Sequence, residues 1–302
     1  MVTLLCSVHI LKKINLLHRS TIQLLRFPFS YFLMPVFFFA LSFVDDINWI
    51  NTLIAFILIH LLLYPASNGY NSFMDRDTES IGGVENPMQP TKQLFHATVV
   101  MDIAGTLFAI FISWRFAVAY LFYILCSRMY SYRGIRLKRF PVIGYLTVIL
   151  NQGALVFAMV FYACSKNTEV QIPLEGLMAA AFLIGGFYPI TQIYQYKSDA
   201  DDGVKTISML LGKRYTFIFC AVMYAIAFSI LFFYYYGHNE LNSFYVLQIF
   251  FIPVVVYFMR WMLQVWNNGM MADFKHTMQM NMLAGTCTNF AFITLIIIKQ
   301  IG

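Results

Sequence analysis

Two short stretches of the chain carry residues whose types and spacing suit chemistry. The first reads Asn68-Gly-Tyr-Asn71-Ser-Phe-Met-Asp75-Arg-Asp77-Thr-Glu79. The second reads Gln195-Tyr-Lys-Ser-Asp199-Ala-Asp201-Asp202-Gly203-Val-Lys205-Thr206. Asn71, Asp75 and Glu79 fall at i, i+4 and i+8, which on a helix places all three on one face. Gln195 and Asp199 are again i, i+4. Carboxylates packed together repel unless a cation joins them. Several carboxylates with Asn and Gln oxygens suit a hard divalent ion such as Mg²⁺, which takes oxygen ligands and commonly bridges to substrate phosphates. A lone acidic loop is more simply a solvated surface. Here, however, Asn71 is as far from Gln195 as Asp75 is from Asp199. That register suggests one unit used twice, with the two clusters facing each other across a cavity, as in membrane proteins built from internal repeats.

The elements that position these residues are apolar. Of 302 residues 60% are hydrophobic and 11% charged, against roughly 45–50% and 25% in soluble domains. That composition excludes an ordinary cytosolic enzyme, a disordered chain and a secreted disulfide scaffold. Stretches 27–44, 47–74, 140–165, 176–196, 215–239, 241–259 and 276–298 contain no Asp, Glu, Lys or Arg. Each is close to the ~17–25 residues that a bilayer-crossing helix needs. Two weaker spans, 94–113 with Asp102 and the short 116–127, fill the gap. The runs are continuous rather than alternating, which argues against a barrel. The expected fold class is all-α: a polytopic membrane bundle of about nine transmembrane helices, arranged as two four-helix pseudo-repeats around a central cavity. The expected division is an N-terminal cytoplasmic segment, 1–26, and one transmembrane domain, 27–300.

The charges set an orientation. All but three of the 20 Lys and Arg fall in loops on the side of the two acidic clusters; the exceptions are Arg115, Lys166 and Lys299. Positive charge marks the cytoplasmic side, so the N-terminus and the acidic loops are expected inside and the C-terminus outside. The expected location is a bacterial inner membrane. Basic residues used for topology imply no nucleic-acid partner. The N-terminus does not read as a secretory signal, because its apolar residues precede Lys12 and Lys13. Cys6, Cys126, Cys164, Cys220 and Cys287 are scattered singly and suggest neither a zinc site nor a disulfide framework. His60, His96 and His276 share no ligand spacing and are expected in packing, as are Asn151 and Gln152 in interhelical hydrogen bonds. Asp102, inside a span, needs a partner or water.

At the two acidic stretches the chain resembles the UbiA superfamily of intramembrane prenyltransferases. The family's first motif, Asn-Asp-x-x-Asp-x-x-x-Asp after the second helix, is matched by Asn71, Asp75 and Glu79. Its second, Asp-x-x-x-Asp-x-x-x-Gly-x-Lys-Thr after the sixth, is matched by Gln195, Asp199, Gly203, Lys205 and Thr206, running into Leu210-Leu211-Gly212. Leu25-Arg26-Phe27-Pro28, Tyr130-Ser131 and Leu137-Lys138-Arg139 also match, so that the likeness spans roughly 20–300. Ser72 stands where the family has its first Asp, Glu79 and Gln195 replace Asp, and Asn86-Pro87-Met88 replaces Arg-Pro-Leu.

The resemblance implies transfer of a prenyl group from a polyprenyl diphosphate to a small-molecule or lipid acceptor, with Mg²⁺ as cofactor. It implies that Asn71, Asp75, Glu79, Asp199 and Asp202 hold the metal, with Gln195 completing the shell. Arg26, Lys138, Arg139 and Lys205 would neutralise diphosphate oxygens. Asp75, Asp199, Lys138 and Tyr130 would be catalytic, Tyr130 facing an allylic cation with its ring, and Ser131 would help bind substrate. Two other classes stay open on the residues alone: a transporter with a cation-coupled anionic site between two repeats, and a non-catalytic isoprenoid-binding relative. A transporter needs access from both sides, whereas an enzyme of this kind needs the 71–79 and 195–205 segments to converge.

Overall fold

The computed structural model describes residues 17–167 and 169–301; Cys6, Lys12, Lys13 and most of the 1–26 segment lie outside them. Long helices build the described chain. They are α1 (Arg19–Ser42), α2 (Trp49–Asp75), α3 (Lys92–Ala109), α4 (Trp114–Ser131), α5 (Pro141–Cys164), α6 (Leu174–Gln192), α7 (Lys213–Gly237), α8 (Leu241–Asn267) and α9 (Phe274–Ile301). Two short helices, Tyr196–Asp201 and Ile207–Leu211, lie between α6 and α7. Seven of the helices are long and apolar enough to cross a membrane. The others, α3 and α4, have 18 residues each and carry Lys92 with Asp102 and Arg115 with Arg128. The 116–127 stretch thus belongs to a longer helix that extends through Tyr130 and Ser131.

The helices close into a ring in which α9 returns to α1, while α5 packs on both α1 and α6. Phe39 and Phe43 of α1 meet Phe157 of α5 at ring separations of 5.5 and 5.4 Å. Outward-facing residues such as Ile50, Phe111, Val118, Ile249 and Val256 are exposed and apolar, the surface that hydrocarbon solvates. At the end away from the acidic stretches, Lys166 pairs with Asp46 and Lys299 with Asp45.

Four irregularities position the cavity. Arg26 adopts a left-handed conformation (φ 50°), breaking α1 before the tight turns of Phe27–Leu33. Arg76 (φ 56°) stops α2 at Asp75. In α2 and α5 the segments Leu58–Leu63 and Ile149–Leu155 are wound as π-helix, a geometry that widens the turn and recurs at functional sites. Gly153 lies inside the second of these. A Cβ there would stand 2.7 Å from Ala181 Cα, so glycine is what lets α5 approach α6.

Candidate active site

Helices α1, α2, α4, α5 and α6 surround a cavity of ≈ 180 Å³, with residues of the 76–91 and 193–206 segments at one end. Both acidic stretches reach it. Asn71, Asp75 and Asp77 contribute from the first, Gln195 and Asp199 from the second. The two are also tied directly, since Gln195 Nε2 donates to the Ser80 carbonyl at 3.3 Å. Lys197 Nζ lies 2.9 Å from Glu79 Oε1.

The helix end decides which acid faces the cavity. The i, i+4, i+8 reading extends the helix through Glu79, but the left-handed Arg76 turns the chain after Asp75. Asp77 therefore lines the cavity in the place expected of Glu79, while Glu79 is exposed and pairs with Lys197. Helical periodicity could not single out Asp77, because i+6 lies off the face of Asn71 and Asp75.

Asp75 is buried and is gripped by two buried cations, Lys138 Nζ on one oxygen and Arg136 Nη2 on the other. Arg136, itself left-handed (φ 50°), also grips the Asp202 carboxylate and donates to the Asp202 carbonyl at 3.1 Å. Arg133 completes that clasp at 3.2 Å. Asp202, expected as a metal ligand, is thus drawn to the arginines and does not line the cavity. Arg136, like Asp77, is a site residue that the sequence alone does not single out. In the sequence it is one of five charges between the fourth and fifth helices, with Arg128, Arg133, Lys138 and Arg139, which topology alone explains.

The other expected residues divide in the same way. Lys138 sits in the tight turn Leu137–Arg139 and lines the cavity; its neighbour Arg139 is exposed, stacked on Phe140 at 4.6 Å. Lys205 is exposed, while Val204 and Thr206 on either side face the cavity. Arg26 is buried and lines the cavity, donating to the carbonyls of Asn68 at 3.2 Å and Gly82 at 3.4 Å. Ser131 Oγ donates to Asn71 Oδ1 at 2.9 Å. The Tyr130 and Tyr188 hydroxyls bond to each other across α4 and α6. Asp102 is absent from the lining; it pairs with Arg128, whose guanidinium lies 3.8 Å over the Tyr70 ring. His60 is buried among Phe37, Phe56 and Tyr64.

The acidic end is electrostatically tense. Burial pushes the Asp199 carboxyl up to about 7, helped by the charges of Asp77, Asp75 and Asp202 and opposed by Lys138. Burial and the neighbouring Asp75 push Asp77 up to about 6. Burial also disfavours the Asp202 anion, but its arginine clasp outweighs this and holds it below the usual carboxylate range. Among the described residues, no three Asp, Glu, His or Cys side chains are gathered closely enough to enclose a metal by themselves. Yet the donors in the cavity are oxygens of Asn71, Asp75, Asp77, Gln195 and Asp199. That set fits Mg²⁺, which keeps few protein carboxylates and completes its octahedron with water and phosphate oxygens.

The fold is a bundle of apolar helices around a polar cavity with an acidic end. The chain belongs to the UbiA prenyltransferase family, whose family model matches residues 32–283, and it is an integral membrane protein. Among solved structures it is similar to a UbiA homolog from Archaeoglobus fulgidus bound to GPP and Mg²⁺, with TM-score 0.63 and 17% identity, covering 90% of this chain and 99% of that one. It is similar to an apo UbiA homolog from Aeropyrum pernix K1, with TM-score 0.66 and 14% identity, covering 89% and 98%. A structure concerned with digeranylgeranylglyceryl phosphate synthase gives 0.58 and 15%, covering 92% and 97%. No curated protein matches the chain.

Proposed function

We propose that the protein transfers a prenyl group from a prenyl diphosphate to an acceptor within the membrane, with Mg²⁺ as cofactor. The observation that carries this is the meeting of both acidic stretches with buried Lys138 and Arg26 at one end of a cavity walled by apolar helices. Structures of a UbiA homolog from Archaeoglobus fulgidus contain GPP with Mg²⁺ and DMAPP with Mg²⁺, which supports the same donor class here. Asn71, Asp75, Asp77 and Asp199 would hold the metal, with Gln195 beside them. Bound there, Mg²⁺ supplies positive charge that offsets the diphosphate and favours its departure.

The chain's own residues account for the rest. Lys138 and Arg26 present fixed cations to diphosphate oxygens. Arg136 holds Asp75 and Asp202 in place without entering the cavity, and Ser131 orients Asn71 through its hydrogen bond. The allylic C–O bond breaks with both electrons passing to diphosphate. The acceptor then bonds to the allylic carbon, and its proton passes to the departing diphosphate. The Tyr130 and Tyr188 rings flank the place of bond breaking and exclude water, which would otherwise quench the cation. The positive-inside distribution of Lys and Arg supports an acidic end on the cytoplasmic side.

The test is diphosphate release by purified protein in nanodiscs, from a panel of prenyl diphosphates with a membrane lipid extract as acceptor source. Release that requires Mg²⁺, stops with EDTA and is abolished by Asp75→Ala and by Asp199→Ala supports the proposal. Absence of both release and Mg²⁺-dependent binding of every donor overturns it.

A further inference from the structure

The cavity has two unlike branches beneath its acidic end. Toward α1, α8 and α9 it adjoins a second, apolar hollow through the shared residues Ile184 and Phe187; Phe39, Phe251 and Phe292 line that hollow. Toward α2, α4 and α5 the lining is rich in hydroxyls and amides, Ser67, Ser127, Thr147, Asn151 and Gln152, beside Tyr123 and Val148. Ser67 lies eight residues before Asp75, or about 12 Å deeper along a helix. The π-wound segment Ile149–Leu155 lets the consecutive Asn151 and Gln152 both face this branch. Among the described residues no Lys, Arg or His lines it; the cavity's cations, Arg26 and Lys138, stand at the acidic end.

Two buried amides of the cavity are incompletely satisfied, Asn151 in this branch and Gln192 where α6 ends toward the acidic stretches. Asn151 is buried and spends its Nδ2 on the Tyr123 carbonyl at 3.4 Å, but its Oδ1 has no partner. Gln192 is equally buried and donates to Tyr188 Oη at 2.7 Å, but its Oε1 has none. At membrane depth an unmet carbonyl is costly, because hydrocarbon offers no donor. A terminal amide turns about one torsion, so a ligand that both donates and accepts can satisfy either orientation.

Resting on the function proposed above, we infer that the polar branch between α2, α4 and α5 is the acceptor subsite and that it takes a neutral, hydroxyl-bearing acceptor. The prenyl tail occupies the apolar branch. A carboxylate or phosphate on the acceptor would be buried among hydroxyls and amides with no cation beside it, which is strongly unfavourable. An uncharged phenol or lipid alcohol meets the Asn151 carbonyl with its O–H. Transfer forms a bond from the allylic carbon to this acceptor as the C–O bond to diphosphate breaks, and the acceptor's proton leaves with diphosphate.

The experiment uses full-length protein in nanodiscs with geranylgeranyl diphosphate and Mg²⁺. Four probes are offered in two pairs: hydroquinone with 4-hydroxybenzoate, and diacylglycerol with glycerol phosphate. Donor binding is measured separately, so that failure of the transferase reading shows as lost donor binding and failure of this inference does not. The expected result is that at least one neutral probe exceeds its anionic partner by about tenfold or more in kcat/KM. The pair that responds distinguishes a phenol from a lipid alcohol. Asn151→Leu should raise acceptor KM by about tenfold with donor affinity unchanged. Asn151→Lys should shift preference toward the anionic partner, which a loosened fold would not do. Anionic probes matching or beating the neutral ones, no response to any probe while donor binding persists, or no change of preference in Asn151→Lys would each overturn the assignment.

Discussion

The raised carboxyls at the acidic end make Mg²⁺ binding strongly pH-dependent. Metal binding needs Asp199 and Asp77 ionised, but in the metal-free protein they titrate at about 7 and about 6. From about pH 7.5 to about pH 5, the ionised fraction of Asp199 falls close to two powers of ten and that of Asp77 about one. If both act as ligands, Mg²⁺ affinity weakens by about 10²–10³-fold over that range. The sign for stability follows. Both carboxyls titrate above their ordinary 3.8, so between that value and about 7 the folded metal-free protein binds more protons than the unfolded chain. Their contribution to its stability is complete at the acid end of that window and lost as pH rises through it. Mg²⁺ removes that penalty, so its stabilising effect grows as pH rises. The assay is Mg²⁺ titration of detergent-solubilised protein at several pH values, followed by thermal unfolding and, in two buffers of different ionisation heat, by calorimetry. Between one and two protons should be released per site at about pH 6. Asp199→Asn should leave only about a tenfold dependence over the same range. An affinity constant within about threefold across the range would refute the reasoning.

The remaining predictions concern residues on either side of the cavity wall. Asp77→Asn should weaken Mg²⁺ affinity at neutral pH by about tenfold or more, whereas Glu79→Gln should leave it unchanged, measured by the same titration; the reverse order would restore the uninterrupted-helix reading of the first motif. Arg136→Met should lower stability by about 1–3 kcal/mol, since it strips one of two partners from buried Asp75 and the main partner from Asp202; thermal unfolding in detergent reads it. Gly153→Val should destabilise by about 1–3 kcal/mol or more, because its Cβ would meet the α6 backbone at Ala181. An unchanged melting temperature would mean that α5 and α6 need no close approach.

The membrane class, the positions of the strongly apolar helices and the pairing of Asn71 and Asp75 with Gln195 and Asp199 were legible in the chain, because hydropathy and short helical spacing are local properties. Asp75 and Asp199 do reach one cavity, as their matching register implied. What reading along the chain could not supply was where α2 ends. A left-handed Arg76 exchanges Glu79 for Asp77, and no periodicity announces it. Lys138 and Arg139 are adjacent and alike in charge, yet one is buried against Asp75 and the other lies exposed on Phe140. Arg136 looked like topology charge until the fold placed two carboxylates, 61 and 66 residues away in sequence, on one guanidinium. Asn151 and Gln152 read as interhelical glue, and Asn151 does bond the Tyr123 carbonyl of α4, but spacing did not announce that both also line the cavity. Burial, ion-pair choice and the end of a helix are set by residues distant in sequence, so only the tertiary structure decided which side chains share the site.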